Sequence, residues 1–429
     1  VACATCILNY KNLFYNLKLM KHDKFVNGPV NVVRLEGEVD GIKKVLYVFM
    51  DFHMDISGQT KCEDIRSKDI NTYFVENFDK ISDGEIIYDF FFEIFPTSIV
   101  RPTSKYKVKY IWEIAYLFQK SFMINREKNI VGKSNNFPNV RLHYIDIRDY
   151  LIDSHKLLYQ MNEYVDNIIY SGRINKDNII TIRNGLNMAV SNVKIIYDIL
   201  YGKTKTNLPK KYKPIIPKTA EILTQYKPED FMNNMKILID KIRNKYTHKD
   251  IKNILNKIID NEIYTKFNEY FEHINKYMKT LDQIEKELNI TNDQLYLDEF
   301  TGWSYGISKY HVLQIFSELS LMNTIRNETE MDIFVYLIDV FFLRRFLEKD
   351  YVTNGISYTG ALHSVNYIYI LIKYFNFTIT HYSYLKGDDI KKVIHETKES
   401  KSPRGIEEYF YPPILQQCSN MTDFPELFK

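Results

Sequence analysis

Apolar and polar positions alternate in the first third of the chain and recur at helical spacing in the middle. Asn31–Val39 (NVVRLEGEV) alternates as a half-buried strand does, and Asp40-Gly41 is the residue pair of a type I′ turn. Val45–Met50 (VLYVFM) is almost wholly apolar, the pattern of a strand covered on both faces. Helical spacing follows over 67–81. A second apolar run, Ile86–Phe95 (IIYDFFFEIF), reads as a central strand stopped by Pro96. Residues 111–122 read as a helix and Val140–Ile147 (VRLHYIDI) as a further strand. Strands and helices in alternation predict an α/β fold with a mostly parallel central sheet.

From about 150 the period changes. Ile259, Ile263, Phe267, Phe271, Ile274, Met278 and Leu281 recur at three and four residues, one face of a long helix. Met331–Leu347 is the most apolar stretch, but Asp332, Asp339, Arg344 and Arg345 interrupt it, so it reads as a core helix and not a membrane span. The sheet pattern then returns, with Gly355–Leu362 (GISYTGAL) and Phe377–Tyr384 (FTITHYSY) as strands around a helix at 364–375. The predicted organisation is an N-terminal extension at 1–23, an α/β domain at 24–150 and 351–390 split by a large, mainly helical insertion at 151–350, and a tail at 391–429 lying on the surface. At roughly 150 residues per domain, 429 residues suit that division.

Composition narrows the function. Lys+Arg 57 against Asp+Glu 54 leaves +3, too balanced for a chain that coats nucleic acid. One basic stretch, Lys203 to Lys218 with Pro209, Pro214 and Pro217, reads as a solvated loop, which makes nucleic acid an unfavoured partner. Gly is scarce, 15 in all, and neither GxGxxG nor GxxxxGK[ST] occurs, against the common nucleotide-binding enzymes. The four cysteines, Cys3, Cys6, Cys62 and Cys418, are too few for a disulfide-stapled secreted scaffold. The expectation is a soluble protein of a reducing compartment, in a host cytoplasm or a virion, with an unidentified substrate or protein partner. A Lys-, Asn-, Ile- and Tyr-rich style of this kind resembles proteins of large DNA viruses.

In an open α/β sheet, ligands bind outside the carboxyl ends of the strands. Those ends carry Asp51 and His53, then Glu93, then Asp146 and Arg148, then His363. Imidazoles and carboxylates from separate strands suit metal-assisted hydrolysis, in which a divalent ion acidifies a bound water. Each has a plainer role too: Asp51 could cap a turn, and a histidine at a strand end is commonly a hydrogen-bonded structural group. Asp89, inside YDFFFE, needs a buried partner, with Arg34, Arg141 or Arg148 available.

Three segments together resemble the TraB/Tiki, ChaN and erythromycin-esterase superfamily. KKVLYVFMDFHMD is similar to its opening motif, an apolar strand ending in GxxH or GExH, with Met50 in place of the leading Gly. YDFFFE is similar to the middle strand that delivers an acid, and YTGALHSVNYIYILIKYFNFTI to the closing GxxH, here Gly360 to His363. The resemblance implies His53, His363 and Glu93 as metal ligands for a divalent ion of unknown identity, with Glu93 also catalytic; Asp51, at the same strand end as His53, is a second candidate catalytic acid on the strand-end reading. The resemblance also implies a metal- or His/Glu-dependent hydrolase of ester or peptide substrates. The alternative is a non-enzymatic viral structural or protein-interaction protein with a degenerate α/β domain.

Overall fold

The computed structural model describes residues 24–58, 61–94, 109–125, 130–147, 152–202, 228–290, 294–296, 303–304, 307–414 and 416–429. Cys3 and Cys6, Arg148 and the basic stretch 203–218 lie outside the described residues. Two compact units form, one from the residues up to Asp146 together with Arg345–Lys429, the other from Ile147–Arg344.

The first unit is an α/β fold on a six-stranded sheet. Its strands are β1 (Asn31–Val39), β2 (Ile42–Asp51), β3 (Tyr88–Phe92), β4 (Val140–Tyr144), β5 (Asn354–Gly360) and β6 (Thr378–Tyr382), in the order β6-β1-β2-β5-β3-β4. All the segments expected to be strands lie in this one sheet. β2, β5, β3 and β4 run parallel, while β1 and β6 pair antiparallel at one side. The β1–β2 hairpin closes through Asp40 (φ 50°) and Gly41 (φ 77°), the positive pair that a type I′ turn requires.

Helices α1 (Ile70–Ile81) and α2 (Tyr110–Ser121) cover one face. Their Ile70, Phe74, Phe78, Ile114 and Phe118 pack on Tyr47, Phe49, Phe90, Phe92, Ile356 and Tyr358, every second residue of the central strands. The intervening residues, among them Leu46, Val48, Met50, Phe91, Ser357 and Thr359, are also fully buried, because the other face is covered too. Helix α9 (Ala361–Phe375), apolar almost all round and buried almost throughout, follows β5 and packs on β1, β2 and β5.

In the second unit the helices are α3 (Ile152–Ser171), α4 (Lys176–Tyr201), α5 (Pro228–Asn244), α6 (Lys249–Ile258), α7 (Tyr264–Ile290) and most of α8 (Lys309–Glu348). A wide turn at Ile259–Ile263 joins α6 to α7. The buried stripe of α7 runs Phe267, Tyr270, Ile274, Tyr277, Leu281, so Tyr270 and Tyr277 take the core places that the spacing gave to Phe271 and Met278. Asn175 starts α4 with a reciprocal capping box to Asn178.

The last forty residues do not form a surface tail, as expected from sequence. Helix α10 (Ile390–Glu399) packs against α9. Cys418–Asn420 then adds to Phe25–Asn27 as an antiparallel strand. Phe428 ends in the core, 1% exposed, its ring 5.3 Å from that of Tyr47 and 5.9 Å from that of Tyr73. Leu427 and Phe428 hold positive φ (59° and 56°), a conformation that tertiary contacts impose. Tyr88 Oη donates to the Leu427 carbonyl, and Arg34 Nε and Tyr47 Oη to that of Lys429. Single aromatics on irregular backbone have no period, which is why the segment reads as surface. The cysteines also differ from expectation: Cys62 and Cys418 form a disulfide.

Asp89 is fully buried and held by Arg141, with Nε and Nη2 donating to its two oxygens at 2.8 and 2.6 Å. His143 Nε2 adds a third bond at 2.6 Å. Arg345 Nη2 lies 2.8 Å from His143 Nδ1, and because arginine only donates, Nδ1 must accept and Nε2 must carry the proton. Burial pushes the His143 pKa down, consistent with that neutral ring. Asp89→Ala should leave the Arg141 guanidinium and the His143 N–H without their buried acceptor; because Arg141 is 36% exposed, the cost should be roughly 1–3 kcal/mol, below that for a fully buried pair. Phe428→Ala should cost about 3–5 kcal/mol as a core aromatic truncation. Both are read from urea unfolding of the full chain; a Phe428→Ala midpoint equal to that of wild type would mean the ring is not part of the core.

Candidate functional site

The strand order decides what meets at the carboxyl edge. β5 inserts between β2 and β3, in a register that sets Gly360 beside Asp51 and Tyr358 beside both Phe49 and Phe92. The chain leaves β2 and β3 toward α1 and α2, but leaves β5 into α9. Neighbouring strands that hand on to different helices leave a crevice at their carboxyl ends.

Four residues from three segments come together there. His53 lies two residues beyond β2 with φ 54°, a left-handed conformation uncommon for histidine. Its Nδ1 is 2.5 Å from Asp51 Oδ2. Its Nε2 faces Glu93 Oε2 at 3.8 Å, an ion-pair distance. His363, in the first turn of α9, brings its Nε2 to 3.3 Å from Glu93 Oε1. The Gly360 N–H donates to Glu93 Oε2 at 2.6 Å, so the carboxylate also meets the positive end of α9. A Cβ at Gly360 would lie 3.3 Å from both Glu93 Oε2 and His53 Nε2, so the absence of a side chain allows this close approach.

Exposure separates the four. The His53 side chain is 32% exposed, whereas those of Asp51, Glu93 and His363 are 1%, 6% and 8% exposed. His53 is therefore the group that an incoming molecule would meet, with the other three behind it. Asp146, at the end of β4, is not among the residues these distances join.

The charges are coupled. Burial alone would lower the His53 pKa, but its bond to Asp51, its pairing with Glu93 and the two negative charges outweigh burial and raise it to about 9. Burial would raise Glu93, yet the charge and hydrogen bond of His363, and the pairing with His53, hold it well below the usual carboxylate range. The Tyr358 hydroxyl is pushed well above its ordinary value by burial and by the charge of Asp51.

The metal expectation meets a different arrangement. Among the described residues, no group of three or more His, Cys, Asp or Glu side chains is placed to hold a metal ion. The two Nε2 atoms are turned on the same carboxylate, and one oxygen of that carboxylate already takes a backbone N–H. As arranged, the described donors form no group placed to hold a shared ion. Sequence reasoning also missed Gln417, which is 1% exposed and donates Nε2 to Asp51 Oδ1 at 2.6 Å. The two positions are 366 residues apart, and no local pattern could link them.

A family model for proteins of unknown function, DUF5847, matches residues 24–429. The chain belongs to the DUF5847 family. Its relatives include the uncharacterized protein R706 of Acanthamoeba polyphaga mimivirus, 38% identical over 96% of this chain and 99% of the relative. Two others from the same virus, R161 and R160, are 33% and 32% identical over 94% and 96% of this chain and 98% of each relative. No solved structure matches the chain significantly. The DUF5847 matches support the reading of a large-DNA-virus-type protein, while the superfamily resemblance rests on the three motifs alone. No described helix is long and apolar enough to cross a membrane.

The opposed shifts set a pH window for this DUF5847 protein. His53, raised from 6.5 to about 9, contributes stability that is full below 6.5 and lost as pH rises through about 9. Glu93, lowered from 4.5, contributes stability that is full above 4.5 and lost as pH falls through its folded value. The stability difference between wild type and His53→Gln should therefore be largest at pH 4.5–6.5 and shrink toward pH 9 and beyond. Chemical unfolding of both proteins across that range measures it.

Proposed function

We propose that the protein is a hydrolase of ester or peptide bonds that works through His53 and Glu93 without a resident metal. The observation that carries this reading is the convergence of Asp51, His53, Glu93 and His363, with His53 alone open to solvent. A partly exposed imidazole with one buried carboxylate on Nδ1 and a second facing Nε2 at 3.8 Å is an arrangement suited to proton transfer. Asp51 orients the ring. Neutral His53 takes a proton from an attacking water, and the imidazolium so formed returns it to the leaving group. Glu93 stabilises that imidazolium and ties it to His363. The superfamily resemblance supports His53, Glu93 and His363 and supplies the substrate class. No step runs through a metal ion, as no group of described donors is placed to hold one.

The same carboxylates that stabilise the imidazolium keep free His53 protonated at neutral pH. The competent base is therefore a minor form until the pH nears 9, and kcat/KM should climb with pH and level off near there. Chromogenic aryl esters and fluorogenic peptides are the probes for the purified full chain. His53→Ala should reduce turnover by roughly a hundredfold or more, the usual contribution of a general base. His363→Ala should also lower it, and a metal chelator should leave it unchanged. Loss of activity on chelation, restored by a divalent ion, would reject the metal-free form. No turnover of any probe would leave the interaction-protein alternative.

A further inference from the structure

Asp51 divides its two oxygens between two partners. Oδ2 accepts a hydrogen bond from His53 Nδ1, and Oδ1 accepts one from Gln417 Nε2. Gln417 Oε1 is buried without a hydrogen-bond partner among the described residues, so the side-chain amide is anchored through Asp51 alone. Burying a glutamine with half its amide unsatisfied is costly, and such groups are often tied to function. The backbone around it is stitched on both sides. Gly28 N donates to the Gln417 carbonyl, Ser419 Oγ to that of Pro29, and Gln416 Nε2 to that of Lys61. Cys418, the next residue, is bonded to Cys62, whose own N–H donates to Asn27 Oδ1. The disulfide thus joins residue 418 to a loop 356 positions earlier, one residue from the amide that touches Asp51.

We propose that Gln417 is a positioning residue for the Asp51–His53 pair, and that the Cys62–Cys418 disulfide is the clasp that keeps it seated, so that opening the disulfide loosens the pair. Opening needs a dithiol reductant. Two electrons and two protons pass to the S–S bond, giving the Cys62 and Cys418 thiols, and the dithiol leaves as a cyclic disulfide. The strap from Gln416 to Asn420 then keeps its backbone bonds to residues 25–29 but loses its covalent tie to the loop at 62. Freed of that tie, Gln417 lets go of Asp51 Oδ1, and Asp51 is no longer fixed in the orientation that holds the His53 ring.

The test uses the full chain, oxidised and after dithiothreitol. An N–H in a short bond to a carboxylate gives a proton resonance at very low field, and Asp51→Asn identifies that of His53 by removing it. Gln417→Met keeps the side-chain size and removes the donor. The expected result is a low-field resonance in the oxidised protein that broadens or vanishes in Gln417→Met and on reduction, with two extra titratable thiols. The Cys62→Ser/Cys418→Ser variant should match the reduced protein, and reduction of folded wild type covers the case in which it does not fold. The kinetic arm rests on the hydrolase reading: kcat should fall by up to about a hundredfold, as for a misplaced catalytic group, with KM little changed. The resonance arm does not depend on that reading. Loss of the signal in Gln417→Met with no turnover in any form supports the positioning role and rejects the hydrolase. A signal unchanged in Gln417→Met, or absent from the oxidised wild type, overturns the positioning role. A signal lost in Gln417→Met but unchanged on reduction overturns the clasp.

Discussion

The parallel pairing of β5 between β2 and β3 is the constraint on which the site depends. Side chains on a strand alternate between faces, so a slip of one residue would turn every inward group outward. In the observed register, Gly360 meets Asp51, and the strand ends that carry His53, Glu93 and His363 finish at one level. The register is enforced by packing and not by the site. Tyr47, Phe49, Ile356 and Tyr358 enter one layer while Leu46, Val48, Ser357 and Thr359 enter the other, and both sets are buried. The chain reaches β5 only after the whole helical unit has intervened, so the closing half of the site is assembled from the far end of the sequence.

Two buried carboxylates, one on β3 and one just beyond it, are neutralised in different ways. Asp89 and Glu93 are four residues apart and each is almost fully buried. Asp89 is neutralised by the Arg141 guanidinium, which stays protonated at any ordinary pH and grips both oxygens in a fork. That pairing cannot transfer a proton and reads as structure. Glu93 is neutralised by imidazoles and a backbone N–H, with partners that lie 3.3 and 3.8 Å away. Imidazole gains and loses a proton near neutral pH, so the same burial cost is met there by groups able to do acid–base work. Asp89 has an imidazole partner as well, but His143 is kept neutral by burial and the Arg141 and Arg345 guanidiniums, whereas the imidazole of His53 beside Glu93 is held protonated.

Much of the sheet was legible because its residues follow simple periods. The type I′ pair at 40–41, the apolar runs of β2 and β3 and the return of strand pattern near 355 each report on local geometry. The convergence of His53, Glu93 and His363 was legible only because ligand chemistry gathers at carboxyl ends of parallel strands. What could not be read was whatever depends on contact between distant segments. Gln417 has no motif, and its role appears only beside Asp51. Phe428 sits on backbone with positive φ, where neither helical nor strand spacing applies. The disulfide was hidden for the same reason, since nothing near Cys62 points to Cys418.

These distant contacts have one feature in common. Residues 416–429 place Gln417 behind the site, Cys418 on the loop after β2, and Phe428 among the aromatics under the sheet. A segment with so little regular structure could not hold these positions by its own hydrogen bonds, because isolated short strands and single turns are unstable in water. It is held by the apolar layer that Phe428 enters and by the covalent bond at Cys418. The sheet therefore organises the tail, and the tail in turn fixes Asp51, whose second oxygen accepts its hydrogen bond from Gln417, 366 residues away.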